Sequence, residues 1–361
     1  MHLRQLWLNN FRTYTDLELE LPPGLTCVVG SNGIGKTNLL EAVGYAATLE
    51  SFRNADSSTM VQLGEPRAII RAEGAGIGRD VLVEIELGAR GRGRVQVNRQ
   101  RLNRTNDLLD MLRLSVFAPD DLELVKGSPG NRRDLLDRAL VSVQPRLDSV
   151  RRDLARILKQ RNALLRQARG RLDDDAARTL DVFDDRFAAV SETIGAARAQ
   201  LVADVQPFVQ QAYETLAGPS KSVVLTYDPV WMQAGLHAEL IAQRREELRR
   251  GVSLVGPHRD DLTVELGGLP SRTHASQGEQ RSLALALRLG VHLLVADAVG
   301  TAPILLLDDV FSELDADRSS ALFAALPPGQ ALLSTAVELP PGAEPELILE
   351  ASPGEVTPRI G

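Results

Sequence analysis

The segment GSNGIGKTN, residues 30–38, constrains this chain more than any other. It fits the pattern G-x-x-x-x-G-K-[ST], and both flanks suit it. LTCVV, residues 25–29, is an apolar run with the length of a buried strand, and Leu39, Leu40, Val43, Ala46 and Ala47 follow at helical spacing. Strand, glycine loop and helix in that order are the context a phosphate-wrapping loop requires. Gly30, Gly33 and Gly35 remove side chains where backbone must approach a phosphate chain, and Ser31, Asn32 and Asn38 complete the candidate cofactor-binding set. The helix start contributes free N–H groups and the positive end of its dipole. Lys36 is placed to reach the outer phosphates of a nucleotide, and the Thr37 hydroxyl is a candidate magnesium ligand.

Two further segments extend this reading. ILLLDDVFSELD, residues 304–315, is an apolar strand that ends in acid, which puts a carboxylate at the C-terminal edge of a sheet beside the phosphate loop. Asp308 is the candidate to hold magnesium through water, and Asp309 the candidate to orient or deprotonate an attacking water. SQGEQRSLALALRL, from Ser276, begins like a capped helix, with Glu279 completing a capping box. The same start offers the Ser276 hydroxyl and the Gly278 N–H to an anion.

Period-two patterns at 16–21 and between 67 and 104 predict antiparallel strands, and residues 128–250 read as a helical block broken by a strand-like KSVVLTY at 221–227. Strand signals return at 261–266, 304–308 and in QALLS, with a helix over 276–298 and an irregular proline-rich end from Leu339. The expected fold is therefore α/β. A discontinuous head comprises 1–127 and 252–361, with an antiparallel β-subdomain and an α-helical lobe inserted at 128–251. That lobe is expected to be compact, because helices rise only ~1.5 Å per residue. Cys27 is the only cysteine and lies in an apolar run, so it reads as a core thiol. The start has no signal-peptide pattern and no apolar run reaches ~18 residues, so a cytoplasmic protein without a membrane partner is expected.

The order of phosphate loop, serine–glycine–glutamine helix start, apolar strand ending Asp-Asp, then SELD resembles the ABC-type ATPases. That resemblance implies a homodimer in which each ATP lies between one subunit's phosphate loop and the other's signature helix. Ser276 and Gly278 would then touch the γ-phosphate of the partner's ATP, and Asp315 would lie at the seam. Lys36, Asp309 and Ser276 are the implied catalytic set. The long separation of Lys36 from Ser276, and a segment FAPDDLELVKGSPGNRRDLLD (117–137) without glutamine, differ from a transporter's ATP-binding subunit, which is the alternative reading. With NNFRTY (9–14), GPHRDDL (256–262) and ILLLDDVFSELD, that segment resembles the RecF family of bacterial DNA-repair ATPases. The family implies recognition of DNA at single-strand gaps and, with RecR and RecO, help in loading RecA recombinase. It also implies that Arg12 lies near the nucleotide's phosphates. Asp309 stands where transporters use glutamate, and Thr335-Ala336 lacks a switch histidine, so slow hydrolysis is expected, as in a timer or clamp. A non-hydrolysing scaffold of the chromosome-organising type is a third reading, which the short insert speaks against.

The net charge of −7 requires any DNA-binding groups to be concentrated locally. The densest basic run is RGRGRVQVNRQRLNR, with Arg90, Arg92, Arg94, Arg99, Arg101 and Arg104, and Arg79 upstream. Such a hairpin either contacts backbone phosphates or is simply solvated. Arg132 and Arg133, which open the helical block, are further candidates for DNA contact, and Arg151, Arg152, Arg156 and Lys159 recur along its first long helix, where pairing with acids one turn away also accounts for the charges. Aromatic residues are only 4% and are not interleaved with these charges, so a grip on duplex backbone fits better than base stacking. The five histidines show no ligand spacing, and His258 reads as a packing or loop residue.

Overall fold

The computed structural model describes residues 1–90, 93–102, 106–168, 170–336 and 338–359. The strands and helices run in the order β1 (His2–Phe11), β2 (Tyr14–Glu20), β3 (Leu25–Val29), α1 (Lys36–Thr48), β4 (Arg67–Ala75), β5 (Asp80–Gly88), β6 (Arg94–Val97), β7 (Gln100–Arg101) and α2 (Asn106–Leu109). There follow β8 (Leu114–Phe117), α3 (Glu123–Lys126), α4 (Pro129–Val143), α5 (Leu147–Ala168), α6 (Asp174–Ala217), β9 (Val223–Thr226), α7 (Trp231–Ala234) and α8 (Leu236–Arg250). The chain ends with β10 (Thr263–Leu266), β11 (Leu269–Pro270), α9 (Ser271–His274), α10 (Gln277–Val299), β12 (Ile304–Asp308), α11 (Ala316–Ala325), β13 (Ala331–Thr335), β14 (Leu347–Ser352) and β15 (Glu355–Pro358). Two compact units result: Met1–Leu122 with Phe208–Ser220 and Arg281–Gly361, and Glu123–Pro207 with Lys221–Gln280.

The first unit holds two six-stranded sheets among its described residues, ordered β2-β1-β4-β5-β6-β7 and β15-β14-β3-β13-β12-β8. In the first sheet β4 and β5 alternate buried with more exposed positions, as antiparallel strands with one covered face do. In the second, β14, β3, β13, β12 and β8 are parallel, and every residue of β12 and β13 is buried. Helix α1 packs against both sheets, which is why Leu39, Leu40, Val43, Ala46 and Ala47 are all buried. The tail is not irregular as the prolines suggest. Residues 347–352 add to β3, and 355–358 fold back antiparallel, with Pro358 on an edge strand where its missing N–H breaks no ladder. Helix α10 is the one described helix long and apolar enough to cross a bilayer, and most of that stretch is buried within the protein.

The second unit is mostly helical, with a three-stranded sheet ordered β11-β10-β9. Its apolar cluster joins Leu154 and Ile157 of α5 with Phe187 and Ile194 of α6 and Leu236 and Leu240 of α8. Helix α6 has 44 residues, or ~66 Å, and continues through Pro207, its residues from Phe208 onward belonging to the first unit. Arg161 of α5 is wholly buried and donates to Asp184 of α6 (2.7 Å), Glu247 of α8 (2.7 Å) and the Ser253 hydroxyl (2.8 Å). Removing one partner of such a buried set strands the others in a low-dielectric interior. Arg161→Leu is therefore expected to lower unfolding free energy by about 3–5 kcal/mol in urea denaturation.

His292 and His258 are held neutral by burial, each pushed down to about 4 from 6.5. His292 meets the Ser115 hydroxyl, and His258 meets the Ser253 carbonyl beside the Phe187 ring, which is the packing role expected for it. Because the folded values lie below the unfolded one, this stability is present above pH 6.5 and is lost as pH falls towards 4. Each histidine is expected to contribute about 1.4 kcal/mol of loss per pH unit across that window. Urea denaturation of the wild type against His292→Leu at pH 7 and pH 5 checks this, the variant losing less on acidification.

Candidate nucleotide site

The phosphate loop leaves β3 and is fastened at both ends. Gly30 N–H donates to the Thr335 carbonyl at the end of β13 (3.2 Å), and Leu39 N–H closes the first helical turn on the Gly35 carbonyl (3.1 Å). Gly33 and Gly35 have φ of 79° and 123°, which disfavour a side chain. At Gly35 space forbids one too, since a Cβ would lie 2.8 Å from the Thr13 hydroxyl oxygen and 3.2 Å from that of Tyr14. Tyr14 donates its hydroxyl to the Gly35 carbonyl (2.9 Å), and the Asn38 amide donates to the Thr13 hydroxyl oxygen (3.2 Å). The β1–β2 turn is thus laid over the end of the loop.

Lys36 is only 6% exposed. Its ammonium group donates to the Gly30 carbonyl (2.6 Å), the Ser31 carbonyl (2.9 Å) and the Asn32 side-chain oxygen (3.5 Å). Burial pulls its pKa down, and Asp309 and Asp308 oppose that pull. Arg12, with φ of 54°, places its guanidinium bidentate on the buried Glu41 carboxylate of α1 (2.9 and 2.9 Å) and on the Thr59 carbonyl (2.9 Å). Ser51 donates to the same carboxylate (2.6 Å). Glu41 and Ser51 carry no sequence signal of their own, because their pairing depends on a turn closing over α1.

At the strand ends the Thr37 hydroxyl donates to Asp308 Oδ1 (2.9 Å), and Ser334 of β13 donates to the same oxygen (2.6 Å). Asp308 is 7% exposed. Asp309 follows in left-handed backbone (φ 51°), its N–H donating to the Ser334 carbonyl (3.2 Å) and hydroxyl oxygen (3.0 Å). Ser334 was visible in the sequence only as the last letter of a buried strand. An oxygen-only donor set of one hydroxyl and one carboxylate in direct contact fits magnesium, with Thr37 and Asp308 the residues that would hold it. Asp309 also lines a cavity of about 40 Å³ with Ala118, Pro119, Asp121 and Arg281. Asp121 staples that wall, accepting from Ala118 N–H (2.9 Å) and from Arg288 (2.8 and 2.6 Å).

In the second unit, the first turn of α10 forms the expected capping box. Glu279 accepts from the Ser276 N–H (2.8 Å) and hydroxyl (2.9 Å), and Glu279 N–H donates back to the Ser276 hydroxyl oxygen (3.4 Å). Ser276 is exposed and Gly278 partly so. Asp315 caps α11 through the Arg318 N–H (2.9 Å) and remains exposed.

The arginines divide sharply. Arg79, Arg90, Arg94, Arg99 and Arg101 are exposed, with Arg99 at the tip of the β6–β7 turn; Arg92 and Arg104 lie outside the described residues. Arg132 is not a surface group. It is 5% exposed, grips Asp261 with two bonds (2.7 and 2.9 Å) and caps the Leu124 and Gly127 carbonyls, so it is spent chiefly inside the protein. Arg133 is half-buried and donates to the Asp260 carbonyl (2.7 Å). Arg151 and Arg152 pair with Asp148, and Arg156 pairs with Asp153, as helical spacing suggests.

The fold, with its phosphate loop and the Asp308–Asp309 strand end, is that of an ATPase head of the ABC and SMC class. The family model for the RecF/RecN/SMC N-terminal domain matches residues 2–330. The DNA replication and repair protein RecF of Streptomyces avermitilis is 44% identical, covering 93% of each chain. That of Kineococcus radiotolerans is 42% identical over 100% of this chain and 97% of its own. This chain belongs to the RecF family of DNA replication and repair proteins. A solved structure of the recombination mediator protein RecF with ATP, in the RecFOR pathway, has the same fold, with a TM-score of 0.91 at 24% identity over 99% of this chain and 98% of that one. An Smc head bound to the C-terminal winged-helix domain of ScpA is more distant, with a TM-score of 0.60 at 16% identity over 99% and 97%.

Gly35→Ala combines a disfavoured φ with a clash against Thr13. It is expected to weaken binding of a non-hydrolysable ATP analogue by roughly tenfold or more in calorimetry, at a strain of ~1–3 kcal/mol.

Proposed function

We propose that this protein is an ATP-gated clamp of recombinational repair. It pairs with a second copy when ATP and magnesium are held, grips duplex DNA at single-strand gaps, and releases it on slow, DNA-stimulated hydrolysis. The observation that carries this is the joint of Thr37, Asp308 and Ser334, which brings a hydroxyl and a buried carboxylate to the foot of the phosphate loop. Gly30, Ser31, Asn32, Gly33, Gly35 and Asn38 form the loop, and Lys36 exchanges its carbonyl partners for the outer phosphates. Arg12 stands behind them on Glu41. Thr37 and Asp308 hold the magnesium, which supplies charge neutralisation at the transferred phosphate. Asp309 orients water from the side where the small cavity opens. Its short side chain and its backbone pinned to Ser334 support slow turnover.

Ser276 and Gly278 complete the site from the partner copy. The functional head is taken as 1–127 and 252–361 with 128–251 as the inserted lobe, a division that cuts the chain differently from the two compact units, since Lys221–Gln280 fall in the mostly helical one and Phe208–Ser220 in the other. The exposed arginines Arg90, Arg94, Arg99 and Arg101, with Arg92 beside them, supply the phosphate contacts of a sequence-independent grip. RecR and RecO are partners by the pathway in which the similar structures stand, with RecA loading downstream. The site of action is the cytoplasm. The transporter reading is not favoured, since the matching relatives are named for DNA replication and repair.

The test is affinity for a labelled gapped duplex with and without a non-hydrolysable ATP analogue. Binding is expected to strengthen at least tenfold with the analogue, and Lys36→Met is expected to abolish that gain. Equal binding in all conditions would refute nucleotide gating.

A further inference from the structure

Lys221 stands in the link between α6 and β9, far in sequence from the signature segment. Gly267 N–H donates to the Ser222 carbonyl (2.8 Å), so the β9–β10 ladder extends to the residue next to Lys221. Gly267 and Gly268, with φ of 60° and 78°, form the tight turn into β11. The Lys221 stem crosses that turn, its Cδ and Cγ 3.6 and 3.8 Å from where a Gly267 Cβ would be. Its ammonium group then lands on Glu279 Oε1 at 2.5 Å.

The Glu279 carboxylate is thereby shared. Oε1 takes the lysine, and Oε2 takes both the N–H and the hydroxyl of Ser276. Lys221 and then Ser276 hold this carboxyl down to about 2, so it stays ionised throughout the working range. The same small sheet anchors the rest of the segment. Ser271 donates its hydroxyl to the Val264 carbonyl of β10 (2.7 Å), and the Gln280 amide reaches the carbonyls of Ser271 (3.4 Å) and Arg272 (3.3 Å).

We propose that Lys221 is a positioning residue for the signature serine: by fixing one oxygen of Glu279 it holds the other on the Ser276 N–H, and so sets the backbone position from which the Ser276 hydroxyl, on leaving Glu279, turns its single proton to a phosphate. Lys221 itself touches no substrate. An isolated carboxylate with a free rotamer still caps a helix, but it does not hold the Ser276 backbone in one place. The pair is 44% and 26% exposed, so its direct worth to folding is small, and its effect falls on geometry. The inference rests on the proposed role of Ser276 across a dimer.

The experiment compares wild type, Lys221→Met and Lys221→Arg in three readouts: melting temperature, affinity for a non-hydrolysable ATP analogue, and analogue-dependent dimerisation by light scattering. Hydrogen exchange at the amides of residues 276–280 is followed in the monomer. Lys221→Met is expected to keep its melting temperature and nucleotide affinity, to dimerise at roughly five- to tenfold higher concentration, and to exchange faster at the start of α10 only. Lys221→Arg is expected to restore both. Unchanged dimerisation in Lys221→Met, with the wild type dimerising, would overturn the inference alone. A wild type that stays monomeric with the analogue would overturn the dimer reading and the inference with it. A fall in melting temperature matching the loss of dimer would show a merely structural lysine and also overturn it.

Discussion

One buried carboxylate organises the site. Asp308 ends β12 with its Oδ1 receiving hydroxyls from α1 and from β13, so three chain segments that meet nowhere in sequence are joined at one oxygen. A buried charge so partnered is costly to disturb, because removing either hydroxyl leaves a desolvated acceptor. The geometry of the phosphate loop follows from it. Thr37 fixes the first turn of α1, Ser334 fixes the backbone of Asp309, and the next residue of β13, Thr335, receives the Gly30 N–H. The loop and the two acids Asp308 and Asp309 are therefore set by one parallel sheet and not by the loop alone.

Arginine chemistry explains much of the remainder. The guanidinium fork satisfies two acceptors at once, which lets it cross-link helices in the interior. Arg161 does so among α5, α6 and α8, Arg132 ties α4 to Asp261, and Arg198 ties α6 to Asp137 of α4. Arg12 uses the same fork to hold the β1–β2 turn on α1. Arginines spent inside in this way are withdrawn from any nucleic-acid surface. The exposed set at the β5–β7 hairpins carries the basic character that an acidic chain can still offer.

Local patterns were legible where a local rule decides the outcome. LTCVV became the buried β3, and the loop glycines took the positive φ that such a loop needs. Ser276 and Glu279 formed their box because both partners lie within one helical turn. Illegible features depended on distant partners. Helix α6 runs through Pro207, where proline alone would signal a break, because its packing outweighs the lost bond. Residues 347–358 pair although prolines surround them, since β3 offers an open edge. Arg132 looked like surface charge until Asp261 closed over it from far along the chain. Glu41 and Ser334 stood in ordinary apolar company and gave no hint of the hydrogen bonds they accept and donate.

A complete site built from two copies of this chain, as proposed, can be tested by mixing two defective variants. Lys36→Met removes the loop's charge, and Ser276→Arg blocks the signature start; ATP turnover is measured for each alone and for their mixture with DNA present. A mixed pair contains one site with both parts intact, so the mixture is expected to hydrolyse ATP well above either variant, which are each expected to be inactive. Wild-type turnover by Ser276→Arg alone would contradict the account, because it would mean that one chain completes the site unaided.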